Sequence, residues 1–393
     1  MKTVELVQTN QSSQLRVKGK SFRIRGAGGP ASLKLLSEAG GNSTRTWGFD
    51  QLENGLLDDA YENGIMVSVG IWLRHDLDYN DLQQVNTQIA HALEGVRKYK
   101  DHPAILLWGV GNEMEGNGEN IAIWKHVEEI AKLIKKEDPT RPTMTVIAEI
   151  SGNKIEYINE HCPSIDIIGI NAYGGAPSVP QRYREKGGSK PYILAEYGPR
   201  GPWDYPKNEI NSLDESLTKT KSAYYLKAYE AIDQDVELGL GSYAFMWGQK
   251  MEATPTWFGM FLKDGRKTPT VDVMTAAWSG KEVENKSPQI DSIRLIGSRT
   301  VNTKSKVSAK IKASDPEGDP LKVEWVLMAN SGTYITMGYK QATPPVFPEN
   351  ILQSSENEVT FRVPEKPGLY RIFAYVGDEH GGADAANIVF RAE

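Results

Sequence analysis

Eight short apolar runs, separated by longer amphipathic segments, occupy the chain between residues 22 and 278. Parallel strands joined by crossover helices produce this alternation. Eight β/α units in succession predict a closed (β/α)8 TIM barrel, which belongs to the α/β class. The eight predicted strands are 22–28, 42–47, 65–72, 104–110, 143–148, 165–170, 192–196 and 242–247.

An open, doubly wound α/β sheet is the rival arrangement, and it usually carries a glycine-rich phosphate loop after its first strand. Here Gly26, Gly28 and Gly29 are followed by Pro30, so the third glycine of that fingerprint is missing. We therefore interpret the glycine cluster as a tight turn between the first strand and the first helix.

The sequence pattern changes after Trp278. Residues 281–288 are polar and include a proline, which is typical of an exposed linker. Beyond them, alternating runs at 306–311, 321–327, 358–363 and 370–376 are separated by Gly, Pro, Asn and Asp, as in a β-sandwich. The predicted domains are thus a barrel (1–280), a linker (281–288) and a small all-β immunoglobulin-like or cadherin-like sandwich (289–393).

Composition excludes several classes of partner. The formal net charge is -6 and no long basic run is present, which argues against nucleic acid. The sequence contains no apolar run of about 20 residues, the length needed to span a membrane. Cys162 is the one cysteine, so an intrachain disulfide and a zinc-thiolate site are both excluded. We expect a secreted, periplasmic or cell-surface bacterial protein whose leader is absent from this sequence.

Two carboxylates end otherwise apolar strands. Glu113 follows the fourth predicted strand and Glu196 ends the seventh. Active sites of TIM barrels lie at the carboxyl ends of the strands, and a buried carboxylate is costly without a partner or a function. Retaining glycoside hydrolysis needs two carboxyl groups about 5–5.5 Å apart, one protonated and one ionised. The residues therefore predict that Glu113 and Glu196 form such a catalytic pair, with no cofactor and no catalytic metal.

Four segments carry a resemblance to glycoside hydrolase family two. DHPAILLWGVGNEMEGNG (101–118) resembles the acid/base segment of that family and KPYILAEYG (190–198) its nucleophile segment. LSEAGGNSTRTWG (36–48) resembles the second-strand segment, and DDAYENGIMVSVGIW (58–72) the helix and third strand after it. The Arg-Thr-Trp run is also similar to family five mannanases.

The resemblance implies that Glu113 is the acid/base and Glu196 the nucleophile, and it implies roles for further residues. Asn112 is expected to bind the sugar 2-hydroxyl, Arg45 to neutralise and orient Glu196, and Tyr173 to donate to the nucleophile. Trp247 is expected to form the platform under the sugar at the cleaved bond, with a core tryptophan as the alternative. Weaker substrate-binding candidates at or near strand ends, for any one of which a structural role is about as plausible, are Trp47, Trp72, His75, Trp203 and Trp257. Glu149, after the fifth strand, is expected to contact substrate or to be a solvated loop residue, and not to be catalytic.

Asp315, Glu317, Asp319 and Asp378 could gather oxygen ligands around calcium in the small domain, but ordinary acidic turns are favoured. For the barrel, the predicted function is hydrolysis, or transfer, of a β-linked glucan or related polysaccharide by double displacement. An exo-acting β-glycosidase and a non-catalytic carbohydrate-binding barrel remain the alternatives. A metal-dependent hydrolase is disfavoured because only His75, of six histidines, lies near a strand's carboxyl end.

Overall fold

In the computed structural model, which describes residues 4–9, 12–336 and 340–393, eight parallel strands close into a barrel. A three-stranded antiparallel sheet precedes it: β1 (Val4–Gln8), β2 (Ser13–Val17) and β3 (Lys20–Phe22). The barrel strands are β4 (Ile24–Gly28), β5 (Ser43–Arg45), β6 (Met66–Ile71), β7 (Ile105–Asn112), β8 (Thr143–Ala148), β9 (Ile167–Asn171), β10 (Tyr192–Tyr197) and β11 (Gly239–Phe245).

Helices alternate with the barrel strands as predicted. They are α1 (Leu33–Glu38), α2 (Leu56–Glu62), α3 (Leu82–Tyr99), α4 (Ile121–Glu137), α5 (Lys154–His161), α6 (Val179–Glu185), α7 (Thr218–Asp233) and α8 (Pro269–Ser279). Asp81 caps α3 by accepting the main-chain N–H groups of Gln83 and Gln84. Among the described residues, no helix has both the length and the apolar character needed to cross a membrane.

The first barrel strand differs from its predicted range. Residues 22–28 were predicted as one strand, but Phe22 ends β3 and a separate strand begins at Ile24. The preceding three-stranded sheet was not predicted, and two of its buried residues, Val4 and Leu15, pack with Ile24, Leu106 and Met144 of the barrel interior. This sheet therefore shares the apolar core of the barrel.

Two four-stranded sheets form the carboxyl-terminal part of the chain, which confirms the all-β structure predicted there. One contains β12 (Gln289–Leu295), β14 (Lys306–Ser314), β16 (Ile351–Ser354) and β17 (Glu358–Arg362). The other contains β13 (Thr300–Val301), β15 (Lys322–Ala329), β18 (Gly368–Gly377) and β19 (Ala383–Ala392). Trp325, Phe361 and Phe390 are members of one apolar core that both sheets share.

Contacts along the chain define two compact units. The first contains the barrel strands and extends to Tyr197, with Lys227–Phe245 added. The second contains Gly198–Leu226 and Met246–Glu393, so it includes the segments that follow β10 and β11 as well as the sandwich. The domain boundaries drawn from the sequence remain a prediction.

In the sandwich, the four acidic residues weighed as calcium ligands lie in turns. Asp315 accepts the N–H groups of Glu317 and Asp319, and Asp378 accepts those of His380 and Gly382. Within the described ranges, no group of three or more His, Cys, Asp or Glu side chains is placed to hold a metal ion.

Candidate active site

Glu113 and Glu196 lie at the carboxyl ends of β7 and β10. Glu113 follows the last residue of β7, and its N–H donates to the carbonyl of Val146 in the adjacent strand β8 (2.9 Å). Its φ of 52° places the backbone in the left-handed region, which is costly for a residue other than glycine and is often found at functional sites. Glu196 lies inside β10 and is buried.

Three donors surround the Glu196 carboxylate. Arg45 Nη1 lies 2.9 Å and Trp47 Nε1 2.8 Å from Oε1, and the Tyr173 hydroxyl donates to Oε2 at 2.9 Å. The Arg45–Glu196 ion pair is almost completely shielded from water, with side chains 3% and 8% exposed. Charge-assisted hydrogen bonds to a buried carboxylate stabilise its negative charge. The three donors around Glu196 are therefore the surroundings that a carboxylate nucleophile needs.

Glu113 is in a different environment. Burial, and next the negative charge of Glu196, raise the pKa of Glu113 to about 7, although a hydrogen bond from Asn171 Nδ2 (2.7 Å) lowers it in part. A carboxyl group with such a pKa keeps its proton near neutral pH and can donate it. The two glutamates thus differ in their surroundings, as expected of an acid/base and a nucleophile.

Asn112 and Asn171 connect the two carboxyl groups. Asn112 Oδ1 accepts from Arg45 Nη2 and from Asn171 Nδ2 (3.2 Å), and the same Nδ2 reaches Glu113. Asn171 was not among the predicted site residues. It ends the apolar strand β9, so the rule that singled out Glu113 and Glu196, a polar residue at the end of an apolar strand, could have found it.

Aromatic side chains support the donors of Glu196. The Phe245 ring makes edge contacts with Trp47 (5.9 Å between centroids) and with Tyr173 (6.1 Å). The Arg45 guanidinium lies 5.2 Å from the Trp47 ring centroid. Phe245 is the last residue of β11 and was also missed, because one phenylalanine in an apolar strand gives no signal that separates it from the core.

Three weaker candidates lie near other strand ends of the same unit. Trp72 and His75 stack on each other, 5.1 Å between centroids and 29° between planes. Burial lowers the pKa of His75, which favours its neutral form. Glu149 has a left-handed φ of 58° and is paired with Arg182 Nη1 at 2.6 Å. A role for these three in substrate binding remains a prediction.

The remaining three candidate tryptophans, Trp203, Trp247 and Trp257, belong to the second unit. Trp247 is 1% exposed and packs edge-on against Phe261 (4.8 Å), as a core residue would. Trp257 is buried and donates to the carbonyl of Arg200. Trp203 is 45% exposed and stacks on Phe258. Of the three, only Trp203 is exposed, and all three subsite assignments remain predictions.

A closed parallel barrel of eight strands defines the class of fold, a TIM barrel, and two glutamates in unlike surroundings lie at the ends of its fourth and seventh strands. Residues 55–201 match the family model of glycosyl hydrolases family 2, TIM barrel domain. The match confirms the predicted resemblance, and the barrel is glycoside hydrolase family two-like.

Similar proteins include a β-glucuronidase of Bacteroides fragilis, 37% identical over 83 residues, which are 21% of this chain and 10% of that protein. A solved β-glucuronidase from Ruminococcus gnavus in complex with D-glucaro-δ-lactam has a TM-score of 0.56 at 17% identity, covering 70% of this chain and 52% of that one. A β-galacturonidase from Eisenbergiella tayi bound to galacturonate has a TM-score of 0.53 at 17% identity, covering 71% and 55%. This chain thus spans a tenth of the curated relative and about half of each of these solved neighbours.

Proposed function

We propose that this protein is a retaining glycoside hydrolase that cleaves β-linked carbohydrate by double displacement. The observation that carries the proposal is the asymmetry of the two glutamates. Glu196 accepts three hydrogen bonds, one of them from Arg45, whereas burial and the charge of Glu196 raise the pKa of Glu113 to about 7. The family match over residues 55–201 supports the same chemistry.

In the first step, a Glu196 oxygen attacks the anomeric carbon while the glycosidic oxygen leaves and takes the proton of Glu113. The bond between sugar and leaving group breaks, and an ester between sugar and Glu196 forms. Arg45, Trp47 and Tyr173 hold the attacking carboxylate in one orientation through the hydrogen bonds described above.

In the second step, water attacks the anomeric carbon and gives its proton to Glu113, and Glu196 leaves as a carboxylate. Burial still raises the pKa of Glu113 in the ester intermediate, but the ester has no charge, so the additional rise caused by the Glu196 carboxylate is lost. Glu113 then has a lower pKa and can serve as a base. The same pair of residues thus supplies an acid for one step and a base for the next.

For the substrate, we propose a β-linked glucan or a related polysaccharide. The names of the similar proteins make a β-linked uronide the second candidate, since one is a β-glucuronidase and another a β-galacturonidase bound to galacturonate. A panel of β-glucans, β-mannans and aryl β-glycosides, including aryl β-glucuronide and β-galacturonide, separates the two. Release of single sugars only would favour an exo-acting enzyme. A secreted or cell-surface location remains a prediction.

Proton NMR during early turnover tests the stereochemistry. Two inversions at the anomeric carbon return the starting configuration, so we expect the β anomer to appear first and the α anomer to follow by mutarotation. Initial appearance of the α anomer would contradict the double displacement.

Azide rescue tests the two roles separately. Glu196→Gly should be inactive alone and should form an α-glycosyl azide from an activated aryl glycoside, because azide replaces the nucleophile in one inversion. Glu113→Gly should form the β-glycosyl azide, because azide then resolves the ester on Glu196. Glu149→Gly is the matched control at the neighbouring strand end, and azide should neither restore its activity nor yield a glycosyl azide with it. The same anomer from both glutamate variants would refute the assignment.

A further inference from the structure

A third glutamate is buried two residues beyond Glu113. Glu115 is 2% exposed, and its Oε1 accepts from Lys154 Nζ (2.9 Å) and from the N–H of Ala148 (2.7 Å). Lys154, also 2% exposed, donates as well to the carbonyl of Ala148. Within the described residues, Glu115 Oε2 is buried and accepts no hydrogen bond. The sequence analysis gave Glu115 no role, and the proposed reaction does not use it.

The Glu115–Lys154 pair joins the turn after β7 to the end of β8 and the start of α5. Gly118 shows how tightly this region is packed: its N–H donates to the Glu115 carbonyl (2.7 Å), and a Cβ atom there would lie 2.7 Å from Lys154 Cγ. A buried ion pair contributes little net stability, since the cost of removing both charges from water offsets their attraction. Its place directly behind the acid/base residue calls for another explanation.

We propose that Glu115, held by Lys154, is a positioning residue for Glu113: the pair fixes the left-handed turn that presents the Glu113 carboxyl, and the Glu115 charge keeps the proton on it. The proposal rests on the proposed function. Glu115 acts through Glu113 and has no assigned contact with substrate.

The charges around these carboxyl groups determine the direction of the effect. The charged groups that act on Glu113 are Glu196 and Glu115, which raise its pKa, and Arg45, which lowers it. Glu115 in turn is paired with Lys154 and interacts with His75. Burial lowers the pKa of His75, so the histidine adds little positive charge near neutral pH. Lys154 therefore supplies the main positive charge beside Glu115.

Two variants distinguish a positioning role from a purely structural one. In Glu115→Gln, loss of the Glu115 charge should lower the pKa of Glu113 by on the order of one unit, because that charge raises it. The double variant Glu115→Gln/Lys154→Met lacks the same charge, so the pKa of Glu113 should be lowered by a similar amount. The double variant also avoids a buried, unpaired lysine, so it keeps the test usable if the single variant folds poorly.

The pKa of Glu113 is measured by carboxyl 13C NMR on glutamate-labelled full-length protein, with Glu113→Gln identifying the resonance. This readout needs no turnover, so it remains valid even if the proposed function fails. With an aryl glycoside whose leaving group needs protonation, the basic limb of the kcat/KM profile should move in the same direction as the NMR titration. Inactivity of the wild type on every glycoside tested would refute the proposed function instead.

Asp138→Asn is the matched control. Asp138 and Arg141 form another buried pair, 2.9 Å apart, in the turn that precedes β8 at the other end of that strand. This variant should lower the melting temperature and leave the titration of Glu113 unchanged. Three results would overturn the proposal: no shift in Glu115→Gln, an equal shift in Asp138→Asn, or a double variant in which the pKa of Glu113 returns to the wild-type value.

Discussion

At the scale of single residues, the site depends on how differently two chemically identical side chains are surrounded. Glu196 accepts hydrogen bonds from three side chains, and Glu113 from the Asn171 amide. Glu113 also has a left-handed backbone, a conformation that costs on the order of 1–3 kcal/mol. The fold tolerates this cost where it places a carboxyl group at the barrel mouth.

The raised pKa of Glu113 also affects stability. Its folded-state pKa of about 7 lies above the ordinary value of 4.5, so its contribution to stability is fully present below about pH 4.5 and is lost as the pH rises through 7. Glutamine does not ionise, so Glu113→Gln removes the stability loss that ionisation of Glu113 causes at high pH. The variant should be more stable than the wild type by about 1–2 kcal/mol at pH 8, after allowance for water at the barrel mouth, and nearly equal to it at pH 4.5.

Urea unfolding at the two pH values measures this difference. Glu129→Gln, a substitution at an exposed position of α4, serves as the control and should show no pH-dependent gain. A Glu113→Gln protein with the same stability difference from wild type at both pH values would show that burial does not strain the charged form of Glu113.

At the scale of elements, the close approach of β6 to the turn after β5 positions Trp47. Gly70 of β6 pairs with Gly109 of β7, but their surroundings differ. A Cβ atom at Gly70 would lie 2.3 Å from the Thr46 carbonyl oxygen and 2.7 Å from the Trp47 backbone. The nearest atom to a Cβ at Gly109 would be 3.6 Å away, an ordinary contact.

Gly70→Ala should therefore destabilise the protein by about 2–3 kcal/mol, because backbone atoms must move to make room. It should also lower kcat/KM, since Trp47 donates to the Glu196 carboxylate. Gly109→Ala, in the paired strand, should alter both quantities much less. Thermal unfolding and activity of the two variants give the comparison, and equal effects at the two positions would contradict it.

At the scale of the whole molecule, the second compact unit includes more than the sandwich. Glu215, in the segment between β10 and α7, is fully buried and accepts hydrogen bonds from Lys221, Thr256 and the Asn387 amide of β19. Arg371 of β18 donates to the carbonyl of Leu213. Strands β18 and β19 thus satisfy buried polar groups of chain segments that the sequence assigned to the barrel.

A chain ending at residue 288 should consequently fold poorly. Removing the sandwich exposes the apolar surface packed against it and leaves Glu215 and Leu213 without their partners from the sandwich, a loss of several kcal/mol. We expect low soluble yield and no cooperative thermal transition by calorimetry, with the full-length protein as reference. A truncated protein that melts cooperatively at the wild-type temperature would instead support the boundaries drawn from the sequence.

The sequence by itself determined the order of the barrel elements and the residues at the strand ends. Each barrel strand begins and ends within about three residues of its prediction, because a short apolar run bounded by polar turns is a local signal. The strand-end rule led to Glu113 and Glu196 and, through the family resemblance, to Arg45, Asn112 and Tyr173. Whether those residues have the predicted roles is left to the experiments above.

Only the tertiary structure decided which side chains meet. Asn171 reaches Glu113 from β9, Phe245 contacts Trp47 from β11, and Lys154 pairs with Glu115 from α5. None of these contacts follows from local periodicity, because each joins residues 39 or more positions apart that barrel closure and strand register bring together. The sequence could identify Glu113 as a candidate acid. Its raised pKa depends on burial and on non-local neighbours, which only the fold brings together.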